Sequence, residues 1–124
     1  LTAQSTVYAL GGIYVGSHSA KALVKNIIKG QYTINAGTAG ILAGQSADYS
    51  VSASGALSPT GSTYQQVLFS PTADYEASLK PMFIGWVSDT DTLTLRVFNI
   101  HQSSTLSPGG GGGYTFNYVV IQYT

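Results

Sequence analysis

Trp86-Val-Ser-Asp-Thr-Asp-Thr-Leu-Thr-Leu-Arg-Val-Phe-Asn-Ile100 is the stretch that decides the fold, because it combines a turn with a strand. Residues 88–91 are Ser, Asp and Thr, whose side chains hydrogen-bond nearby backbone groups and favour turns. From residue 92 onwards apolar and polar residues alternate, as they do in a half-buried strand. Phe98 interrupts this alternation, so the second face of the strand is not expected to be fully exposed. The stretch presents no reactive group, which favours a scaffold over an enzyme.

Similar β-rich runs, separated by turn formers, occur along the whole chain. The last run, residues 114–124, follows a loop of five glycines at 109–113. Counting the runs predicts about eight strands, which is typical of an all-β antiparallel sandwich with a jelly-roll-like arrangement. A chain of 124 residues is one domain by size, so we expect one β-sandwich over 1–124. Residues 1–35 are the candidate for an N-terminal arm or an edge element.

One stretch, residues 19–29, also fits a short helix. Its apolar residues recur at i, i+3, i+4, i+7 and i+8 from Ala20 to Ile28. Ser19 is a suitable helix cap, and Gly30 is a suitable residue to end a helix. Because the stretch is also rich in Val and Ile, a strand is the alternative.

The same stretch holds three of the five positive charges of the chain. Lys21, Lys25 and Lys29 recur at i, i+4 and i+8, so a helix would carry them as one basic stripe. A solvated polar face is the simpler interpretation of this stripe, and contact with an acidic surface of a partner protein is the functional one. The three lysines are therefore candidate partner contacts.

Charged side chains are scarce: Asp, Glu, Lys and Arg make up 8% of the chain, and the net charge is zero. Ordinary domains have roughly 25% charged residues, and small free domains usually keep a net charge for solubility. The composition therefore favours a chain that lies packed in an assembly. It argues against nucleic acid as a partner, because phosphate binding needs clustered Lys and Arg. The absence of Cys excludes disulfides and thiolate metal sites, and no apolar run is long enough for a membrane span.

The few titratable residues form no recognisable catalytic or metal-binding motif. His18 and His101 lie far apart, and neither belongs to a pair with the spacing of metal ligands. The run Gly44-Gln-Ser-Ala-Asp48 lacks the second glycine of a nucleophile elbow. We therefore expect no catalytic residue, no metal and no cofactor, and hence no enzyme.

Two pairs of acidic residues have a simpler interpretation than a functional one. Asp89-Thr-Asp91 is a turn whose carboxylates accept backbone hydrogen bonds, since the other oxygen ligands of a calcium loop are missing. Asp74-Tyr-Glu76 is a solvated turn, since nothing else marks the cleft that a pair of glycosidase carboxylates would need.

Aromatic residues supply the remaining candidate contacts. Nine Tyr and one Trp suit the binding of sugar rings, although half-buried tyrosines are also common in sheets. Trp86, His101 and Tyr114 are the candidate partner contacts near the loop 101–113. The five glycines are followed by a strand rather than a helix, which excludes a dinucleotide-binding loop. They predict a mobile loop or one that passes tightly against a neighbouring chain.

Three stretches together resemble the small β-sandwich domains of structural proteins in tailed bacteriophages, of the head-decoration and fibre type. They are Gly40-Ile-Leu-Ala-Gly-Gln-Ser-Ala-Asp-Tyr-Ser-Val-Ser-Ala-Ser-Gly-Ala56, the run from Gly85 to Asn99, and Tyr114-Thr-Phe-Asn-Tyr-Val-Val-Ile121. The resemblance covers roughly residues 36–124 and carries no catalytic residues. The chain departs from the pattern after Asn99, where Ile-His-Gln replaces a Thr-Gly turn, and in its five glycines, which replace a shorter loop.

The resemblance implies a non-enzymatic virion protein on the surface of the capsid. We expect a capsid decoration protein that binds the major capsid protein or other virion subunits and forms homo-oligomers, of which a trimer is one form. The alternative is a receptor-binding fibre tip or a lectin-like module with a carbohydrate partner. Neither role involves nucleic acid or a membrane.

Overall fold

The computed structural model describes residues 13–15, 22–55 and 64–123. Across these residues it contains seven β-strands and two short 3-10 turns. The strands are β1 (Ile13–Val15), β2 (Ala22–Thr33), β3 (Ser46–Ser52), β4 (Tyr64–Pro71), β5 (Met82–Asp89), β6 (Thr92–Phe98) and β7 (Thr115–Tyr123). The 3-10 turns are Ala77–Leu79 and Gly110–Gly112. The first twelve residues of the candidate N-terminal arm lie outside the described residues.

The strands form two antiparallel sheets that pack face to face. One sheet has the order β1-β2-β7-β4 and the other the order β3-β6-β5. The pairing is nested, since β2 pairs with β7 and β3 pairs with β6, while β4 and β5 lie beyond β7 and β6. Nested pairing of this kind is the jelly-roll arrangement, here with fewer strands than the usual eight. The prediction of an antiparallel, jelly-roll-like β-sandwich is confirmed.

The core lies between the central strands of the two sheets. On β6, the side chains of Leu93, Leu95 and Val97 have no exposed surface, and the residues between them face outwards. On β7, Phe116 and Val120 are equally buried and belong to the same apolar cluster. The alternation read from the sequence is therefore the alternation of the buried face. Phe98 is half-buried, as its place in the pattern indicated.

The helix expected at 19–29 is wrong for the residues that the structure describes there. Residues 22–33 form β2, which pairs with β7 along most of its length, whereas residues 19–21 are outside the described part. The pairing has an irregularity between Val24 and Asn26, which shifts the alternation at that point. Ile27 is 60% exposed on the outer face while Ile28 packs against the core. Because β2 carries apolar residues on both of its faces and its alternation shifts at the bulge, its apolar residues have the spacing expected of a helix.

Asp89 and Asp91 form the turn that the sequence indicated. The backbone N–H of Thr90 donates to the Asp89 carboxylate at 2.7 Å, and the N–H of Gly55 donates to Asp91 Oδ1 at 2.8 Å. Asp91 has a left-handed φ of 52°, a conformation that Asp tolerates better than most residues. The second hydrogen bond ties the β5–β6 hairpin to the end of β3.

The two ends of the five-glycine segment pack closely against another part of the same chain. At Gly113 an added Cβ would lie within 3.0 Å of the backbone of Ile34, and at Gly109 it would lie 2.6 Å from the N of Thr38. Gly37 N–H donates to the carbonyl of Gly109 at 3.2 Å. The two ends of the segment therefore need glycine because another part of the backbone approaches them closely.

The sandwich is closed on one side by a contact between the two sheets. An added Cβ at Gly85 of β5 would lie 2.3 Å from the ring of Phe69 on β4, so only glycine admits the ring there. The Phe69 ring in turn meets Phe116 edge-on at 6.3 Å between centroids. This contact brings β4 and β5, which end their respective sheets, against one another.

We expect Gly85→Ala to lower the free energy of unfolding by about 1–3 kcal/mol, because the new methyl group forces the Phe69 ring out of its position. Gly110→Ala is the matched control, since its added Cβ would make an ordinary contact of 3.4 Å with Ser107. Urea denaturation of both variants measures the difference. Equal stability of Gly85→Ala and the parent chain would show that Phe69 does not seal this edge.

Candidate functional site

The outer face of the three-stranded sheet carries the candidate site. Cross-strand pairing arranges its outward residues in three rows. We call this surface the Trp86 face and define it by those rows: Ser46–Phe98–Met82, Asp48–Arg96–Ile84 and Ser50–Thr94–Trp86. The β3 side of the face is polar, and the β5 side is apolar.

Apolar side chains on the β5 side are exposed to an unusual degree. Met82 is 55% exposed and Ile84 is 52% exposed, while Trp86 and Phe98 are half-buried. Ile100, which follows the end of β6, is 52% exposed. Because residues i, i+2 and i+4 of a strand share a face, Met82, Ile84 and Trp86 form one continuous row. Adjacent exposed apolar residues of this kind mark interaction sites more often than single ones do.

An ion pair at the centre of the face holds Trp86 in place. Arg96 donates two hydrogen bonds to the Asp48 carboxylate, from Nε at 2.6 Å and from an Nη at 2.9 Å. The same guanidinium lies 4.9 Å from the centroid of the Trp86 ring, which is a cation–π distance. The hydrogen bond from Arg96 lowers the pKa of Asp48 from its ordinary value. One face of the indole is therefore covered by a cation that a neighbouring strand fixes.

The six candidate contacts from the sequence do not converge on this face. Trp86 alone lies there. Lys29 is exposed on β2 in the opposite sheet, Lys25 lies at the β2 irregularity, and Lys21 is outside the described residues. Since β2 is a strand, the expected basic stripe of a helix does not form at the described lysines.

Tyr114 is a core residue rather than a surface contact. It is 2% exposed, and its ring stacks on Tyr75 at 4.5 Å between centroids. Its hydroxyl donates to Glu76, whose carboxylate also accepts the backbone N–H of Ser107 at 2.8 Å. Burial, together with the hydrogen bond to Glu76, raises the pKa of Tyr114. Glu76 is thus not simply solvated, as the sequence suggested, but fastens the loop before β5 to the loop before β7.

His101 lies outside the Trp86 face, in the loop that follows β6. Its Nδ1 accepts hydrogen bonds from the backbone N–H groups of Ser103 at 3.2 Å and Ser104 at 3.0 Å. The imidazole therefore orders its own loop. Among the described residues no group of three or more His, Asp or Glu side chains is placed to hold a metal ion.

Sequence reasoning missed the residues that give the face its character. Met82, Ile84 and Arg96 were read only as parts of strands, although the spacing of two from Met82 to Trp86 is visible in the sequence. What could not be read was which face of β5 points outwards. That depends on Phe83 packing edge-on against Phe116 at 4.9 Å between centroids, far away in the sequence.

We expect Asp48→Asn to be less stable than the parent chain near neutral pH, and the difference to shrink in acid. The native pKa of Asp48 is lowered, so its stabilising effect is complete above the pKa of the unfolded aspartate and is lost as the pH falls through the lower native value. Urea midpoints measured across the acid range test this. Asp74→Asn, which removes an exposed carboxylate without an ion-pair partner among the described residues, is the control. A difference that stays constant with pH would contradict the assignment.

Removing the side-chain hydroxyl should affect the stability of the chain differently at Tyr114 and at Tyr49. Tyr114→Phe should lower the free energy of unfolding by about 1–3 kcal/mol, because it removes a hydrogen bond to a carboxylate. Tyr49→Phe should be neutral or slightly stabilising, because the Tyr49 hydroxyl is buried without a hydrogen-bond partner in the described part of the chain. Thermal unfolding of both variants gives the comparison. A larger loss for Tyr49→Phe than for Tyr114→Phe would reverse this interpretation.

No family model, no curated protein and no solved structure matches the chain. The helical segments of the described residues are 3-10 turns, and none is long and apolar enough to cross a membrane. What the chain does must therefore be inferred from its own surfaces.

Proposed function

We propose that this chain is a non-enzymatic structural protein of a phage virion, a capsid decoration protein that binds the head through the Trp86 face. The observation that carries the proposal is the exposed row of Met82, Ile84 and Trp86 beside the Arg96–Asp48 ion pair. The partner is the major capsid protein or another virion subunit. The place of action is the outer surface of the capsid.

The composition of the face supports a protein partner. Interface centres are enriched in Trp, Phe, Met and Arg, and the residues that dominate binding are most often Trp, Tyr and Arg. Covering the exposed halves of Met82 and Ile84 contributes roughly 1 kcal/mol each, at about 25 cal/mol per Å² of apolar surface. The Arg96–Asp48 pair keeps the Trp86 ring in one position before binding, which reduces the entropy lost on association.

The low charge of the whole chain supports repeated packing on one surface. Copies with zero net charge do not repel each other when many of them lie side by side. The opposite sheet also presents an apolar side chain to the outside on β2, where Ile27 is 60% exposed. We include homo-oligomerisation in the proposal, with a trimer as one form. Binding to the assembled head then stabilises the shell by mass action.

The second candidate function is a receptor-binding fibre tip or a lectin-like module. Trp86 with Thr94 and Ser50 in the same row favours it, because an aromatic ring beside hydroxyl groups suits a sugar. Against it stands the guanidinium of Arg96, which occupies one face of the indole.

The test uses two variants with equal exposure on opposite sheets. Ile84 is 52% exposed on the Trp86 face and Leu68 is 53% exposed on β4 of the other sheet. In co-sedimentation with empty shells of the phage that encodes the chain, Ile84→Gln should weaken binding ~5–30-fold, equivalent to about 1–2 kcal/mol. Leu68→Gln should stay within about twofold of the parent chain, as expected for a residue outside the contact.

Several outcomes would contradict the proposal. If the parent chain stays monomeric in light scattering and does not bind shells, the decoration role is wrong. Equal losses for Ile84→Gln and Leu68→Gln would mean that the Trp86 face is not the contact. Saturable binding on a glycan array that disappears in Trp86→Ala would favour the receptor-binding module.

A further inference from the structure

A second concave surface lies beyond one end of the Trp86 face. It is a depression of about 390 Å³ between the turn at residues 78–80 and the loop at residues 100–103. Pockets of this volume accept groups of the size of a monosaccharide or larger. The depression lies where β5 begins and β6 ends, so the two segments that line it are held by adjacent strands.

The loop on one side of the depression is fixed by a buried asparagine. Asn99 is 2% exposed, and its Nδ2 donates to the carbonyls of Ile41 and Ser104, each at 2.8 Å. Its Oδ1 accepts the backbone N–H of His101 at 3.0 Å. The hydrogen bonds to His101 and Ser104 hold the loop in one conformation, and the hydrogen bond to Ile41 fastens it to another segment.

His101 forms part of the wall of the depression. Because Nδ1 accepts two backbone N–H groups, the ring proton of the neutral imidazole is carried by Nε2. The same two hydrogen bonds fix the orientation of the ring. The wall of the depression thus includes an imidazole ring whose orientation is fixed and which carries an N–H donor.

Lys80, on the opposite side, adopts a conformation that lysine seldom takes. Its φ is 50°, in the left-handed region where Gly and Asn are favoured. Lys80 ends the 3-10 turn Ala77–Leu79, and its backbone N–H donates to the carbonyl of Ala77 at 3.2 Å. The Lys80 ammonium makes no ion pair with another described residue. A positive charge is therefore present at the depression and is not neutralised by the described part of the chain.

Neutral polar groups complete the lining. The side chains of Ser78, Gln102 and Ser103 are exposed at the depression and make no hydrogen bond to another described residue. Each of them can both donate and accept. Leu79 and Ile100 supply an apolar part of the wall.

We propose that this depression binds an acidic saccharide, with the carboxylate of a sugar acid at Lys80 and His101. A cation and a fixed N–H donor suit a carboxylate. The hydroxyl and amide groups of Ser78, Gln102 and Ser103 suit the ring hydroxyls of the same sugar. An acidic side chain of a protein would use only the first pair and would leave the other three polar groups without a partner. The proposal does not depend on the Trp86 face or on its partner.

The test titrates the full chain with a tetramer of galacturonic acid, measured by calorimetry at low salt. The methyl-esterified tetramer keeps the sugar rings but loses the carboxylate charges, and a short polyglutamate carries carboxylates without sugar. We expect binding of the acidic tetramer, with at least tenfold weaker binding of both other probes.

A matched pair of lysine variants locates the site. Lys80→Asn removes the charge while suiting the left-handed backbone, and Lys29→Asn removes the same charge from an exposed position on β2. Binding of the acidic tetramer should fall at least tenfold in Lys80→Asn and stay within twofold in Lys29→Asn. His101→Gln gives a second variant on the opposite wall and should also weaken binding. Thermal unfolding of each variant checks that the sandwich is intact.

Three results would overturn the proposal. One is the absence of binding by the acidic tetramer to the parent chain. Another is equal affinity for polyglutamate, which would make the ligand a protein carboxylate. The third is an equal loss in Lys29→Asn, which would mean general attraction of an anion to a positive surface. None of them bears on binding to capsid shells through the Trp86 face, so the two proposals fail separately.

Discussion

The packing of β6 against β7 is the interaction on which the rest of the structure depends. Each is an interior strand of its sheet, with partners on both sides, and their inward side chains form the middle of the core. Fixing these two strands also fixes the outward direction of every neighbour that pairs with them, because side chains alternate along a strand. The Trp86 face exists because Phe83 and Val87 of β5 turn inwards to this core, which leaves Met82, Ile84 and Trp86 outside.

Much of the fold can be predicted from the sequence where the strands are amphipathic. The alternation from residue 92 onwards and the β-rich run at 114–124 predicted β6 and β7 correctly, and the aspartate turn was read correctly from its residue types. β2 was predicted as a helix because both of its faces carry apolar residues and a bulge interrupts its period. For such a strand, pairing with β7 decides the structure, and this pairing joins residues that are far apart in the chain.

The candidate sites were less predictable than the fold. Tyr114 was expected at the surface, since the sequence does not show that Glu76 accepts a hydrogen bond from its hydroxyl. Arg96 was read as an ordinary polar residue of a strand, although its partners on either side, Asp48 and Trp86, come from the strands next to it. The depression at Lys80 and His101 joins two segments that become neighbours only when β5 and β6 pair. The burial of Tyr114, the contacts of Arg96 and the depression all depend on contacts between segments that are distant in the sequence, which local sequence patterns do not show.

The glycine segment has a consequence for engineering. Its two ends, Gly109 and Gly113, are clamped by backbone from another part of the chain, whereas a side chain at Gly111 or Gly112 would meet no atom within 4 Å. The ends of the segment are therefore fixed by packing, while its tip makes no such contact with the described residues. A foreign peptide spliced between Gly111 and Gly112 would therefore start from a point that no described residue contacts, while the two packed ends keep the sandwich in place. This tip is the position at which the fold best accepts an inserted epitope.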